Sequence, residues 1–294
     1  HTHTHTHTTT HPNQEEWRGE AILVSPWAPR ATLYKGFLSP AECAHLKALA
    51  SPTLAASTVV DAATGQPAPS GVRTSTGTFL EPAADAAVAR IEARLALVAQ
   101  VPPENGEALQ VLRYAPGQRY EPHLDAFAPG DPLNARAEVG GQRVATVLMF
   151  LESPAEGGET VFPQAASTAS GPGWSACARE GLAVAPVAGD ALLFWSTLPD
   201  GGVDPASLHG SCPVTKGAKW TATRWIHGGA FGDANPAAKA RAGACVDGSP
   251  DCASWAGAGE CGRNPDYMLA TCRVSCGSCG KGGEQGGAAA AVAV

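Results

Sequence analysis

Lys219-Trp220-Thr221-Ala222-Thr223-Arg224-Trp225-Ile226-His227 alternates residue by residue. In an extended strand Lys219, Thr221, Thr223, Trp225 and His227 share one face. Lysine and histidine are costly on a buried face unless a partner meets them. Either this face meets a ligand or it is solvated and Lys219 is an ordinary surface lysine. Working back along the chain, Leu109–Tyr114, Arg143–Leu151, Leu182–Val187 and Ala191–Trp195 also read as strands. Pro116-Gly117, Gly140-Gly141, Gly157-Gly158 and Gly189-Asp190 mark turns between them. Many strands with no long helix between them predict an antiparallel sandwich or barrel.

Two helices precede this body. Ser39-Pro40-Ala41-Glu42 is a capping box with proline at the first helical position. The helix it opens runs to about Ala50 and carries His45. Asp85–Gln100 is alanine-rich, with Val88, Ile91, Leu95 and Val98 at helical spacing. Both are expected to cover one face of the sheet. Ala21–Val24 and Ala31–Tyr34 read as short strands, and Asp61–Gly71 as a loop. Residues 1–11, HTHTHTHTTTH, have no apolar content and are expected to be a disordered, solvated stalk. That leaves His45, His123, His209 and His227 as the histidines of the folded part.

The chain has 294 residues, enough for one large or two smaller domains. Hydrophobic residues at 44 % against 16 % charged exclude disorder throughout. A net charge of -7 with no basic stripe speaks against a nucleic-acid partner. No apolar run reaches the roughly 18 residues of a membrane span. The chain begins at His1 rather than Met, the mark of a processed or truncated product, so any membrane anchor would belong to a segment before it. Six of the nine cysteines crowd into 35 residues with the spacing C-x6-C-x8-C-x10-C-x3-C-x2-C. One C-x2-C without histidine fits disulfides better than zinc and implies an oxidising compartment.

His123-Leu124-Asp125 offers two metal-ligand types on one side of an extended segment. A third ligand is needed, and His209 and His227 are the other histidines of the strand-rich half. Two histidines and one carboxylate leave three positions open on Fe(II), enough for a co-substrate and O2. Lys219, ten residues after His209, suits a ligand with a distant carboxylate. Opposite charges about 4 Å apart at an effective dielectric near 20 attract by roughly 4 kcal/mol before desolvation.

Taken in order, Tyr120-Glu121-Pro122-His123-Leu124-Asp125, His209 and Lys219 resemble the Fe(II)/2-oxoglutarate dioxygenases. More narrowly they are similar to the prolyl 4-hydroxylases of plants and green algae. Arg73–Thr78, Gly141–Val144, Glu156–Thr160 and Leu208–Pro213 support the likeness, which covers about Glu16 to His227. The resemblance implies an α+β, mainly β fold: a double-stranded β-helix (jelly roll) flanked by helices. It implies His123, Asp125 and His209 as iron ligands, and Lys219 against the 5-carboxylate of 2-oxoglutarate, with Thr160 and Tyr114 as its hydrogen-bond partners. Arg73 and Ser75 would sit on a loop closing over substrate, and Tyr120, Arg143, Trp225 and His227 would line the peptide channel. The implied reaction hydroxylates C4 of peptidyl proline in a proline-rich substrate, of hydroxyproline-rich glycoprotein or collagen-like type. It consumes O2 and 2-oxoglutarate, releases succinate and CO2, and uses ascorbate as reductant.

Cys245–Cys279 resembles an ShKT module, which implies the pairs Cys245–Cys279, Cys252–Cys272 and Cys261–Cys276. Cys177 and Cys212 are expected to form a further bridge, leaving Cys43 as a buried free thiol. The expected organisation is a disordered segment (1–15), an oxygenase domain (16–230), a linker (231–244), the small disulfide-rich C-terminal module (245–279) and a disordered Gly/Ala tail (280–294). The expected compartment is the endoplasmic reticulum or Golgi lumen. The competing readings are the same chemistry on lysine or a small molecule, and a catalytically dead disulfide-rich binding protein.

Overall fold

All nine residues of Lys219–His227 are buried, so the strand is covered on both faces rather than one. This is the centre of the architecture seen in a computed structural model, which describes residues 17–60, 67–69, 71–128, 130–131, 139–232, 247, 249 and 251–278. The expectations of disorder at 1–15 and 280–294 lie outside these residues, as does most of the linker. The described residues fall in two compact units, one within His1–Phe231 and one within Gly232–Val294.

The first unit opens with β1 (Ala21–Ser25), β2 (Ala31–Tyr34), α1 (Pro40–Ala50), β3 (Ala55–Ala56), β4 (Thr58–Val60), β5 (Pro67–Pro69), β6 (Thr76–Leu80) and α2 (Ala86–Ala99). Then come β7 (Leu109–Tyr114), β8 (Tyr120–His123), β9 (Arg143–Glu152), β10 (Glu156–Gly157), β11 (Thr160–Phe162) and β12 (Leu182–Val184). The last are β13 (Ala191–Trp195), β14 (His209–Ser211), β15 (Val214–Lys216) and β16 (Lys219–His227). An eight-stranded sheet has the order β1-β2-β13-β9-β16-β7-β6-β3, and a four-stranded sheet the order β12-β11-β14-β8. Neighbours in both are antiparallel. From β7 onward the chain crosses between the two sheets repeatedly, which closes them into the double-stranded β-helix.

The helices form where their caps dictate. Ser39 Oγ accepts the Glu42 N–H at 3.2 Å, and Glu42 accepts the Ser39 N–H at 2.8 Å. Asp85 caps α2 through the N–H groups of Ala87 and Val88. Both helices bury an apolar face against the large sheet: Leu46, Ile91 and Leu95 pack with Val111, Val147, Ala222 and Ile226. Each such side chain stabilises by about 1.5–3 kcal/mol. The space between the sheets is filled at one end by Phe150, Phe162, Leu182, Leu192 and Phe194.

Beyond shifts of one residue at strand ends, the strands depart from the sequence reading in two places. The Leu182–Val187 strand stops at Val184, because Pro186 has no N–H for the ladder. Pro67–Pro69, inside the expected Asp61–Gly71 loop, pairs with Thr58–Val60. The short strands β8, β11 and β14 escaped notice because three or four residues carry too little periodicity.

A bridge joins Cys177 to Cys212 in the first unit, and Cys43 is buried and unbridged. In the second unit α3 (Cys252–Gly257), α4 (Glu260–Arg263) and α5 (Pro265–Thr271) surround Cys252–Cys272 and Cys261–Cys276. Met268 supplies the apolar filling. With so small a core, bridges worth about 2–4 kcal/mol each dominate its stability. The Cys245–Cys279 pair lies outside the described residues.

Candidate active site

The small sheet pairs β8 with β14 so that His123 and His209 are direct partners. Asp125 follows β8 by two residues and is buried. Each imidazole is anchored at Nδ1 by a backbone carbonyl: His123 to Glu121 O and His209 to Ser207 O, both at 2.9 Å. A carbonyl only accepts, so Nδ1 carries the proton and Nε2 presents a lone pair. Those Nε2 atoms face Asp125, at 3.5 Å from Oδ1 for His123 and 3.6 Å from Oδ2 for His209. The three ligand atoms lie within 4.8 Å of one another. Two lone pairs and a carboxylate converging without a shared proton are arranged for a cation.

Protonation suits this role. Burial lowers His209 to about 4, and keeps its imidazole neutral at physiological pH. Burial alone would raise Asp125, but His209, His123 and Thr146 reverse that and hold it well below the usual carboxylate range. Tyr120 stacks on His123 with ring centroids 3.7 Å apart.

The same cavity receives Lys219, which is 1 % exposed. The solvated-lysine alternative is therefore excluded. Its Nζ donates to Ser211 Oγ at 2.8 Å and lies 5.4 Å from the Tyr114 ring centre. Burial pushes the amine down to about 7, and Glu159 pulls it partly back. Among the atoms lining this cavity, Thr160 Oγ1, Thr221 Oγ1, Trp225 Nε1 and Arg73 Nε are buried with no partner within the protein. A buried polar group left unpaired costs about 1–3 kcal/mol. Four such groups in one cavity beside a buried amine make a site for a polar, anionic ligand.

Of the residues singled out in the sequence, His123, Asp125, His209, Lys219, Thr160, Tyr114, Arg73, Tyr120 and Trp225 line this one cavity. Arg73 lies 4.9 Å from the Tyr120 ring centre and donates to Gln110 Oε1 at 2.6 Å. Ser75, Arg143 and His227 do not line it. Ser75 is buried with its hydroxyl 3.0 Å from that of Ser57. Arg143 sits 4.3 Å from the Trp225 ring centre, with Nε bonded to Glu107 Oε1 at 2.5 Å. His227 is fully buried, held by Glu107 at 2.9 Å and Gly141 O at 2.8 Å. His227 shares the Lys219 face of β16 by alternation, the extra residue of the register shift near it being Val144 of β9, but at the strand's end it is held by Glu107 and Gly141 and does not line the cavity. Arg143 and His227 thus back the cavity through Trp225 and Glu107.

Sequence reasoning missed Gln110, Thr146, Ser211 and Glu107. Gln110 shares a strand face with Leu112 and Tyr114, and a polar residue on that face was a usable signal. Thr146, which donates to Asp125 Oδ2 at 2.7 Å, gave none.

Comparison with known proteins agrees with this geometry. The 2OG-Fe(II) oxygenase superfamily model matches residues 109–227, and an ShK domain-like model matches 244–279. The chain is 49 % identical over 263 residues to probable prolyl 4-hydroxylase 6 of Arabidopsis thaliana, covering 86 % of this chain and 88 % of that protein. It is 50 % identical over 223 residues to prolyl 4-hydroxylase 5 of the same plant, covering 74 % and 75 %. Viral collagen prolyl hydroxylase from Paramecium Bursaria Chlorella virus-1, solved as a 2OG complex, aligns at 26 % identity and a TM-score of 0.49 over 67 % of this chain and 94 % of that one.

Proposed function

The chain belongs to the prolyl 4-hydroxylases of the 2OG-Fe(II) oxygenase superfamily, and we propose that His123, Asp125 and His209 hold its iron while Lys219 receives 2-oxoglutarate. It is an enzyme that hydroxylates peptidyl proline with Fe(II), 2-oxoglutarate and O2. Close identity to prolyl 4-hydroxylases sets aside lysine, a small molecule or a dead binding fold as the better reading. When bound, the iron couples decarboxylation of 2-oxoglutarate to succinate and CO2 with delivery of one oxygen atom of O2 to C4 of proline.

The chain's own residues position and exclude. Lys219, drawn toward the charged form by a dianion, meets the 5-carboxylate, and Thr160, Thr221 and Ser211 offer hydroxyls to it. Tyr114 walls the lysine and keeps water from it. Arg73 Nε and Trp225 Nε1 offer two donors to carbonyl oxygens of the peptide. Tyr120, clamped between Arg73 and His123, gives the proline ring an aromatic surface. Arg143, Glu107 and His227 fix the Trp225 ring from behind. A proline-rich strand, already in polyproline II form, loses little entropy on docking against such aromatics. Ascorbate serves as reductant. The disulfides fit a secreted or luminal protein, and we place the enzyme in the endoplasmic reticulum or Golgi lumen. Among the described residues no helix is long and apolar enough to cross a membrane.

The observation carrying this assignment is a fully buried lysine in the same cavity as a His/Asp/His set. The test is mass spectrometry of proline-rich peptides incubated with Fe(II), 2-oxoglutarate, O2 and ascorbate. One added oxygen on proline, absent with His209→Ala, is expected. No product from any of several proline-rich peptides, with iron bound, refutes the proline-rich substrate.

A further inference from the structure

Asp125 lies almost symmetrically between the two imidazoles, with its oxygens 3.5 and 3.6 Å from the respective Nε2 atoms. Neither Nε2 carries a proton, so neither imidazole bonds the carboxylate and another group must fix its orientation.

One group breaks the symmetry. Thr146 lies in β9, in register with Phe194 of β13 and Trp225 of β16, and is 0 % exposed. Its hydroxyl crosses from the large sheet to the segment after β8 and donates to Asp125 Oδ2 at 2.7 Å. The hydroxyl has one proton, and it goes to that oxygen. The strand is central and the side chain is β-branched, so the hydroxyl has little freedom to turn away. We propose that Thr146 is a positioning residue for the iron site: by donating to Oδ2 it holds the Asp125 carboxylate in the orientation that faces both imidazoles. This rests on the assignment of His123, Asp125 and His209 as iron ligands.

The test compares Thr146→Val, Thr146→Ser and Thr146→Ala in the full chain. Mn(II) is titrated into each protein and free ion is followed by electron paramagnetic resonance, a readout independent of turnover. Loss of a partner to a ligating group typically costs about 10–100-fold in metal affinity. Val and Ala are expected to weaken Mn(II) binding by about tenfold or more, while Ser, which keeps the hydroxyl, binds as the parent does. In turnover, Val is expected to raise the KM for 2-oxoglutarate and the ratio of succinate to hydroxyproline, leaving the peptide KM unchanged. Parent-like Mn(II) affinity in Val, or an equal loss in Ser and Val, overturns the proposal, the second because packing of the methyl would then be the cause. If neither hydroxyl-free variant folds while Ser does, the hydroxyl is structural and the proposal also falls. If the parent itself binds no Mn(II) or Fe(II), the ligand assignment fails instead.

Discussion

Replacing Lys219 by methionine is expected to stabilise the metal-free protein while removing its hold on 2-oxoglutarate. The amine is 1 % exposed, and burial pushes it down to about 7 from an ordinary 10.5. At about 1.4 kcal/mol per pH unit, a charged Lys219 costs the fold about 5 kcal/mol. The sign follows from proton counts. Between about 7 and 10.5 the unfolded chain holds a proton that the folded chain has released, so stability rises with pH across that window. Below it the full cost is present, and above it none. Methionine fills much of the same volume but forfeits the bond to Ser211, a loss of about 1 kcal/mol. The variant is therefore ahead by about 4 kcal/mol near pH 6.5, and its lead shrinks by about 1.4 kcal/mol per pH unit above neutrality. Urea unfolding followed by tryptophan fluorescence in EDTA, at several values between about pH 6.5 and 9.5, measures this lead. Calorimetric titration with 2-oxoglutarate measures the lost binding. A difference between the two proteins that does not change with pH, or a methionine variant less stable throughout, refutes the reasoning.

In the parent enzyme, affinity for 2-oxoglutarate is expected to weaken as pH rises past about 7, where Lys219 loses its charge, by at most about tenfold per pH unit; a calorimetric pH series checks it. Exchanging Cys177 and Cys212 together for serine opens a bridge spanning 35 residues, costing up to about 4 kcal/mol. Because Cys212 follows Ser211, the KM for 2-oxoglutarate should rise as well; urea midpoints and steady-state kinetics read the two effects. Glu107→Gln leaves Arg143 buried without its counter-charge. A stability loss of about 3–5 kcal/mol is expected, with the peptide KM raised and the 2-oxoglutarate KM unchanged, read by thermal melts and a KM split.

The limits of α1, α2, β7, β13 and β16 were legible because caps and long alternation are local signals. Ser39 and Asp85 advertise their helices within four residues. His123 and Asp125 were legible as a pair because both sit on one segment. Nothing local tied His209 to them, and that link came from resemblance. The partners of His227 were not legible either, because Glu107 and Gly141 lie on other segments of the chain. Glu107 and Thr146 stayed hidden for a related reason. A glutamate before a strand and a threonine within one look the same whether they meet solvent or a buried partner.

The central place of β16 has a consequence for biosynthesis. This last strand of the unit lies between β9 and β7, made long before it. Until it emerges, those two strands present raw edges to their surroundings, and the unit has neither Lys219 nor a closed sheet. At about 5–20 residues per second, the ribosome takes roughly 4–15 s to travel from the end of β9 to the end of β16. During that interval the nascent chain is a sheet with its middle missing. A chain cut short between His209 and Lys219 would keep all three metal ligands and still be unable to finish folding, so quality control meets this enzyme's hardest moment just before its synthesis of the catalytic unit ends.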